Sequence, residues 1–267
     1  MISAQQSGKW TGVGLTDIGL VRKLNQDAFS LENTLQLWVL ADGMGGHAGG
    51  EVASQIAVES IPYVLRTQLF SESFQHIQSE KIESLLQQAI ESANQSIRKE
   101  AAQNLRIHGM GTTVVVVAIT STPTGYEAVV GHAGDSRAYL FREGTLSLWT
   151  KDHSLVEEHL ALNLITPEQV RTHPLRHVVT KALGIAPQVH PTIQRYSLEP
   201  TDHILLCSDG LTKMLTDREI QAVVGQESLH PKSICHTLVN TANRLGGEDN
   251  TTVVLIGLDS GSTPNEC

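Results

Sequence analysis

The sequence contains little cysteine, few aromatic residues and no long apolar run. Three cysteines in 267 residues are too few and too scattered for a disulfide framework or a zinc cage. Aromatic residues make up only 4% of the chain, so the core must be built from valine, leucine, isoleucine and alanine. No window approaches the roughly 20 apolar residues that span a bilayer, and the N-terminus lacks the apolar segment of a secretory signal. We therefore expect a reduced, cytoplasmic protein without a membrane anchor or a sensor domain.

The chain is acidic, with a formal net charge of -9. Because an acidic protein repels phosphate backbones at long range, this charge argues against nucleic-acid binding. Hydrophobic residues make up 40% of the chain and charged residues 18%, which excludes general disorder. The length fits one large domain or two small ones, and the sequence shows neither an internal repeat nor a linker. We therefore expect one domain.

Short apolar runs predict buried strands, and apolar residues at helical spacing predict helices. The predicted strands are Leu35–Ala41, Thr113–Ile119, Glu127–Gly131, Ala138–Phe141, His203–Cys207 and Thr251–Ile256. The predicted helices are Glu51–Leu65, Lys81–Ala101, Asp217–Val224 and Pro231–Leu245. The helices come in pairs between blocks of strands, which favours sheets flanked by helical layers over a doubly wound α/β fold.

Two regions carry weaker patterns. Residues 150–200 contain four prolines and several histidines, and we interpret them as an irregular insertion with a short helix near Ser154–Leu162. The polar tail Asp259–Cys267 is predicted to be flexible.

Aspartate residues recur at the ends of the predicted strands. Asp42, Asp135 and Asp209 each follow an apolar strand and lie next to glycine, and Asp249 directly precedes another strand. A further aspartate, Asp27, precedes an Ala-Phe pair. Several carboxylates cannot share a pocket without a compensating cation, because like charges raise one another's pKa. Oxygen donors without a matching histidine and cysteine set indicate Mg²⁺ or Mn²⁺ rather than Zn²⁺.

Other interpretations of these motifs must be weighed. Asp-Gly is also a common turn dipeptide, so any one of these sites alone would indicate only a turn. The loop from Gly43 to Ala48 formally matches a dinucleotide-binding fingerprint, with Glu59 as a candidate ribose ligand. No Walker A lysine follows a glycine-rich loop. A Cys-x5-Arg phosphate loop is excluded, because Lys213 and Thr241 occupy the positions where arginine is required.

Eight ordered motifs resemble those of a known family. They are Arg22-Lys-Leu-Asn-Gln-Asp27, Ala41-Asp-Gly-Met-Gly-Gly-His47, Gly109-Met-Gly-Thr-Thr113, Gly134-Asp-Ser-Arg137, Lys151-Asp-His-Ser154, Thr180-Lys-Ala-Leu-Gly184, Cys207-Ser-Asp-Gly-Leu211 and Glu248-Asp-Asn250. Together they resemble the metal-dependent serine/threonine protein phosphatases of the 2C type, in their compact bacterial form. The resemblance runs from about Gly12 to Gly257.

The resemblance implies an α+β fold, a four-layer α/β/β/α sandwich of two mostly antiparallel sheets flanked by helix pairs. It implies a single catalytic domain over residues 1–258, with a flap at about 150–185 that contacts substrate and a flexible tail at 259–267. His132 and His153 are interpreted as structural residues.

The resemblance also assigns site residues. Asp42 would bridge two Mn²⁺ or Mg²⁺ ions, and the Gly43 carbonyl would bind one of them. Asp209 and Asp249 would bind the other ion, and Asp27 would act through metal-bound water. Asp135 matches the aspartate that helps to bind a third, weaker ion. The last two assignments are Arg22, which would hold the substrate phosphate, and His47, which would be the general acid.

The implied activity is hydrolysis of phosphoserine and phosphothreonine on proteins. A water or hydroxide shared by two ions about 3.5–4 Å apart would attack phosphorus. The implied partners are phosphorylated proteins and a bacterial serine/threonine kinase whose action is reversed, and we expect a monomer. Gln26 departs from the family, in which glutamate is common here, so metal affinity is expected to be somewhat lower. The remaining alternative is a binding module that keeps the fold without turnover.

Overall fold

The computed structural model of the protein describes residues 8–45, 49–69, 77–170, 172–226 and 230–259. The strands are β1 (Lys9–Asp17), β2 (Asp27–Glu32), β3 (Leu37–Met44), β4 (Gly111–Thr112), β5 (Val114–Thr122), β6 (Gly125–Ala133), β7 (Arg137–Arg142), β8 (Thr145–Leu148), β9 (Thr192–Leu198), β10 (His203–Cys207) and β11 (Thr251–Asp259). The helices are α1 (Gly49–Leu69), α2 (Ser79–Gln103), α3 (Leu155–Ala161), α4 (Pro167–Val170), α5 (Asp209–Met214), α6 (Asp217–Val224) and α7 (Pro231–Arg244).

The strands form two sheets. The five-stranded sheet has the order β1-β11-β10-β7-β8, and the six-stranded sheet has the order β2-β3-β5-β6-β9 with β4 paired to β3. Every strand pairing among the described residues is antiparallel. The dinucleotide-binding interpretation is therefore wrong, because that fingerprint requires a βαβ unit with parallel strands.

Three apolar cores separate four layers. One core lies between α1, α2 and the six-stranded sheet, a second between the two sheets, and a third between the five-stranded sheet and α5, α6 and α7. The predicted α/β/β/α sandwich is confirmed, although the second helical layer holds three helices rather than a pair.

Strand β5 shows why the valine-rich runs lack polar alternation. Val115 and Val117 belong to the core between the sheets, whereas Val114 and Val116 belong to the core beneath the helices. Side chains of a strand point alternately to opposite faces. A strand that is covered on both faces therefore needs apolar residues at every position.

The structure adds strands that the apolar pattern did not predict. Strand β9 lies within residues 150–200, so the prediction that this whole region is irregular is wrong; α3 matches the predicted short helix. Strands β1, β2, β4 and β8 were also not predicted. Strand β11 continues to Asp259, the first residue of the predicted tail, and residues 260–267 lie outside the described residues. Among the described helices, none has the length and apolar character needed to cross a bilayer.

Candidate active site

The fold brings the ends of distant strands to one edge of the molecule. Asp27 begins β2 and lies opposite Asp42 of β3 in the strand register. Asp209 begins α5 directly after β10, and Asp249 lies two residues before β11 begins. Asp135 lies in the connection between β6 and β7. Antiparallel pairing therefore gathers aspartates that are far apart in the sequence.

A cavity of about 470 Å³ opens at this edge. It is lined by Arg22, Gln26, Asp42, Gly43, Met44, Gly45, Thr113, Asp135, His177, Val179, Asp209, Lys213, Glu248, Asp249 and Asn250. Six of the eight predicted site residues line it, and Asp27 is buried beside Asp42. The eighth, His47, lies outside the described residues.

Asp27 ties the two sheets together at the bottom of the site. Its Oδ2 accepts hydrogen bonds from Ser208 Oγ and Thr252 Oγ1, both at 2.7 Å. Ser208 Oγ in turn accepts from the Thr252 N–H at 2.9 Å. The other oxygen of Asp27, Oδ1, is buried without a hydrogen-bond partner among the described residues. A buried carboxylate oxygen left in this state is an available ligand for a cation.

Gly43 lies where three backbone segments meet. Its N–H donates to the carbonyl of Gln26 at 3.0 Å. A Cβ at this position would lie 2.1 Å from the carbonyl oxygen of Gly50 and 2.5 Å from that of Gln26. Only glycine fits this space, so the sequence at this point is set by the close approach of backbone beside Asp42.

Two cations contact the carboxylates of Asp209 and Asp249. Lys213 Nζ lies 2.5 Å from Asp209 Oδ2 and 2.8 Å from Asp249 Oδ2. Arg22 contacts both oxygens of Asp249, with Nε 2.8 Å from Oδ1 and Nη2 2.8 Å from Oδ2. Burial raises the pKa of Asp249, but the hydrogen bonds and charges of Lys213 and Arg22 outweigh it, so this pKa lies below its ordinary value. Asp209 Oδ1 is buried without a hydrogen-bond partner among the described residues.

The loop that carries Asp135 is joined to Asp42 by hydroxyl groups. The Asp42 N–H donates to Thr113 Oγ1 at 3.1 Å, and Thr113 Oγ1 lies 2.7 Å from Ser136 Oγ. Gly134 has a φ of +118°, a conformation that favours glycine and turns the chain toward Asp135. The position of Asp135 relative to Asp42 is thus fixed by a short polar chain.

His132 and His153 support the same loop. Their rings stack with centroids 4.5 Å apart. His153 Nδ1 accepts a hydrogen bond from the Gly134 N–H at 3.2 Å, and its Nε2 lies 2.9 Å from Thr192 Oγ1. Burial lowers the pKa of His132, and burial together with His132 lowers the pKa of His153 to about 3. Both imidazoles are therefore neutral at pH 7, in keeping with the predicted structural role.

The carboxylates of the site repel one another. Burial first, and then the charges of neighbouring aspartates, raise the pKa of Asp42 well above its ordinary value. The same causes raise the pKa of Asp135 to about 7 and that of Asp27 to about 6, although the hydroxyls of Ser208 and Thr252 partly offset the rise at Asp27. Such a cluster is stabilised in its ionised form by a bound cation.

The donor set fits divalent metal ions. It consists of carboxylate oxygens and one backbone carbonyl, which suits Mg²⁺ and Mn²⁺. In the part of the chain that the structure describes, no three acidic, histidine or cysteine side chains enclose a common point as an ion would require. Lys213 instead bridges Asp209 and Asp249. The fit therefore rests on the donor chemistry and on the orphaned oxygens of Asp27 and Asp209.

Three residues that the motif reasoning did not single out prove to be part of the site. Lys213 follows Asp209 by four residues on α5, the helical spacing at which side chains meet, and this spacing could have predicted their contact. Ser208 and Thr252 flank the predicted ligands in sequence. Their hydrogen bonds to Asp27 depend on the packing of two sheets, so no local pattern could have indicated them.

Comparison with known proteins decides the family. The family described as Protein phosphatase 2C matches residues 21–245. The chain belongs to the protein phosphatase 2C family. A serine/threonine phosphatase of Listeria welshimeri is 35% identical over 245 residues, which cover 90% of this chain and 93% of the relative. The predicted family, and with it the predicted activity of a serine/threonine protein phosphatase, is confirmed.

Solved structures of this phosphatase family share the fold. The serine/threonine phosphatase of S. agalactiae has a TM-score of 0.82 and 33% identity, covering 94% of this chain and 100% of that chain. The catalytic domain of PstP, solved in complex with two manganese ions, has a TM-score of 0.78 and 31% identity, covering 94% of this chain and 99% of that one. Phosphatases of this family depend on metal, and the buried carboxylate oxygens of Asp27 and Asp209 that lack a partner among the described residues lie at the acidic edge described above.

Proposed function

We propose that the cavity at this edge is the site where the chain hydrolyses phosphoserine and phosphothreonine of protein substrates with two divalent ions. One observation carries the proposal. Four aspartates from separate strands and loops line one cavity and a fifth, Asp27, is buried beside Asp42; two of the five keep buried oxygens without a hydrogen-bond partner among the described residues. Buried carboxylates that raise one another's pKa cluster at functional sites, and a bound cation would offset their mutual repulsion.

The metal ligands are assigned residue by residue. Asp42 and the Gly43 carbonyl serve one ion, and Asp42, Asp209 and Asp249 serve the other. Asp27 would act through metal-bound water, and its orphaned Oδ1 is the oxygen available for that contact. When bound, such a pair of ions supplies a water ionised at neutral pH and neutralises charge on the phosphoryl oxygens. We assign Mn²⁺ or Mg²⁺ to both positions, and a third, weaker ion to Asp135.

Arg22 and His47 complete the proposed machinery. The planar fork of Arg22, which contacts both oxygens of Asp249, has the geometry to hold two oxygens of a substrate phosphate. Arg22 therefore orients phosphorus for in-line attack. His47 gives a proton to the departing serine or threonine oxygen, because an imidazole titrates near neutral pH.

The flap at residues 150–185 borders the site and is proposed to contact substrate. A second cavity of about 290 Å³ lies between flap residues such as Val156 and Arg176 and residues of α5 such as Thr212. Exchange of residues 150–185 for those of a relative is expected to reorder the preference among phosphopeptides; an unchanged order would count against this role. We place the flap within one catalytic domain, which the end of β11 extends from the predicted residue 258 to Asp259, followed by a tail at 260–267. The protein is proposed to act as a cytoplasmic monomer opposite a bacterial serine/threonine kinase.

Phosphate release from a phosphothreonine peptide tests the proposal. We expect turnover with Mn²⁺ or Mg²⁺, none with chelator, and a loss of at least about 100-fold in the Asp209→Asn variant, since this change removes a ligand charge while keeping the side-chain shape. Asp217→Asn, at the start of α6 outside the cavity, is the matched control and should retain activity. Undiminished turnover in Asp209→Asn, or turnover of the wild type in chelator, would refute the proposed site.

A further inference from the structure

Lys213 lies among the carboxylates of the site. It extends from the last turn of α5, and its Nζ contacts Asp209 Oδ2 at 2.5 Å and Asp249 Oδ2 at 2.8 Å. One ammonium thus bridges the two side chains to which the proposed function assigns a single ion.

The three charges are largely withdrawn from water. The exposed fractions of the side chains are 23% for Lys213, 19% for Asp209 and 17% for Asp249. Ionised carboxylates that are this buried destabilise the fold unless a positive charge lies beside them, and the Lys213 ammonium supplies that charge. Asp209 Oδ1 nevertheless remains buried and without a hydrogen-bond partner among the described residues, so Lys213 satisfies only part of the cluster.

The helical spacing of α5 keeps Lys213 within contact distance of Asp209. The long side chain of Lys213 lets its ammonium group move. Residues four apart on a helix face each other, which fixes Lys213 beside Asp209. The ammonium is a compact charge on a flexible four-carbon stem, unlike the rigid fork of arginine. Lys213 lines the active-site cavity and also the neighbouring cavity beneath the flap, so its end group has space on both sides.

We propose that Lys213 is a positioning residue that serves as the built-in counter-cation of Asp209 and Asp249 in the metal-free protein. A divalent ion must displace the ammonium from these oxygens in order to bind. This inference rests on the proposed function, because it takes Asp209 and Asp249 as metal ligands. Two consequences follow. Lys213 stabilises the metal-free fold, and it weakens the affinity of the site for metal.

The Lys213→Met variant separates these effects from an ordinary packing role. In chelator, its Tm should fall by about 3 °C, because Asp209 and Asp249 lose their counter-charge. By calorimetric titration, its Mn²⁺ affinity should rise about tenfold, which corresponds to about 1.4 kcal/mol. A residue that only packs would lower stability and leave the metal affinity unchanged or weaker. Lys213→Gln is measured alongside it, in case the methionine variant does not fold without metal.

Two further variants distinguish a failure of the proposed metal site from a failure of the inference about Lys213. Lys23→Met removes one charge from an exposed lysine next to Arg22 that makes no ion pair with the described carboxylates, and it should leave both quantities unchanged. Asp209→Asn should lose Mn²⁺ binding. If Asp209→Asn binds Mn²⁺ like the wild type, the proposed metal site fails and this inference fails with it. If it loses binding while the Lys213 variants match the wild type, or Lys23→Met gives the same tenfold gain, the inference alone is overturned.

Discussion

At the scale of the residue, Gly43 shows how the site constrains the sequence. Replacement by alanine would bring a Cβ to 2.1 Å from the Gly50 carbonyl oxygen, a contact that only a shift of backbone can relieve. Such overpacking costs about 1–3 kcal/mol, and a displacement of about 1 Å at the catalytic centre costs on the order of 100-fold in rate. We therefore expect Gly43→Ala to lose about 100-fold in kcat/KM and several degrees in Tm.

The control for this change is Gly225→Ala. Gly225 has a φ of -76°, and an added Cβ would lie 3.1 Å from the ring of Phe141 and 3.2 Å from the Gln221 carbonyl oxygen, contacts that shifts of a few tenths of an ångström relieve. It lies at the end of α6, away from the cavity, and activity should be unchanged. Wild-type activity in Gly43→Ala would contradict the assignment of this backbone segment to the active site.

A second prediction at this scale concerns Ser208, which contacts Asp27 but does not line the cavity. Removing its hydroxyl takes a hydrogen bond from a buried carboxylate and also leaves the Thr252 N–H without its acceptor. We expect Ser208→Ala to cost about 1–3 kcal/mol in stability and about 10-fold or more in metal affinity, since groups that orient metal ligands act at this level.

Denaturant unfolding and Mn²⁺ titration measure the two effects of Ser208→Ala. The matched control is Ser96→Ala, because Ser96 donates only to a carbonyl within α2. If Ser208→Ala lowers stability but leaves Mn²⁺ affinity equal to that of the control, Asp27 has no role in metal binding.

At the scale of the element, the connection from β6 to β7 depends on a neutral histidine. His153 has a pKa of about 3 in the folded state against an ordinary value of 6.5, because burial and His132 disfavour its charged form. Between these values the unfolded chain binds more protons than the folded one. The stability that His153 contributes is therefore complete above pH 6.5 and is lost as the pH falls toward 3.

The His153→Gln variant tests this pH dependence. Glutamine can still accept from the Gly134 N–H and donate to Thr192, but it does not titrate. Between pH 7.5 and 5, the wild type should lose roughly 1 kcal/mol more stability than the variant, a value kept small because the imidazole is only half-buried. If urea unfolding shows that the wild type and the variant lose the same stability between pH 7.5 and 5, then His153 becomes charged in the folded state as it does in the unfolded chain. That result would contradict a neutral imidazole.

The elements also show what the sequence could predict. Strand β10 and helix α6 have the predicted ends, because β10 is a short apolar run and α6 lies between the capping residues Thr216 and Gly225. Strand β1 escaped prediction because it contains Gly12 and Gly14. A Cβ at these positions would lie 2.2 Å from Trp38 Nε1 and 2.6 Å from the Phe29 ring, so the glycines serve tertiary packing. Local patterns cannot carry that information.

Strand β9 escaped prediction for a different reason. It lies at an edge of the six-stranded sheet, where exposed residues such as Gln194 and Arg195 interrupt the apolar pattern. The site was more predictable than these strands, since each aspartate stands in a motif. The bridging contact of Lys213 and the orphaned oxygen of Asp27 emerge only from the folded structure.

At the scale of the whole molecule, the site is a property of the sandwich. The carboxylates of the site come from both sheets. Strand β1 pairs with β11, so segments near the two ends of the described chain lie side by side at this edge. Because these carboxylates meet only in the folded state, metal binding at this edge would be coupled to folding. We propose above all that this edge holds two divalent ions.

Anomalous diffraction from crystals grown with Mn²⁺ tests that claim most directly. We predict two strong peaks, both roughly 2 Å from a carboxylate oxygen of Asp42, one also bound by the Gly43 carbonyl and the other by Asp209 and Asp249. Lys213 Nζ should then have left Asp209. Peaks elsewhere, or an unoccupied edge in crystals of a protein that turns over phosphopeptide with Mn²⁺, would contradict it.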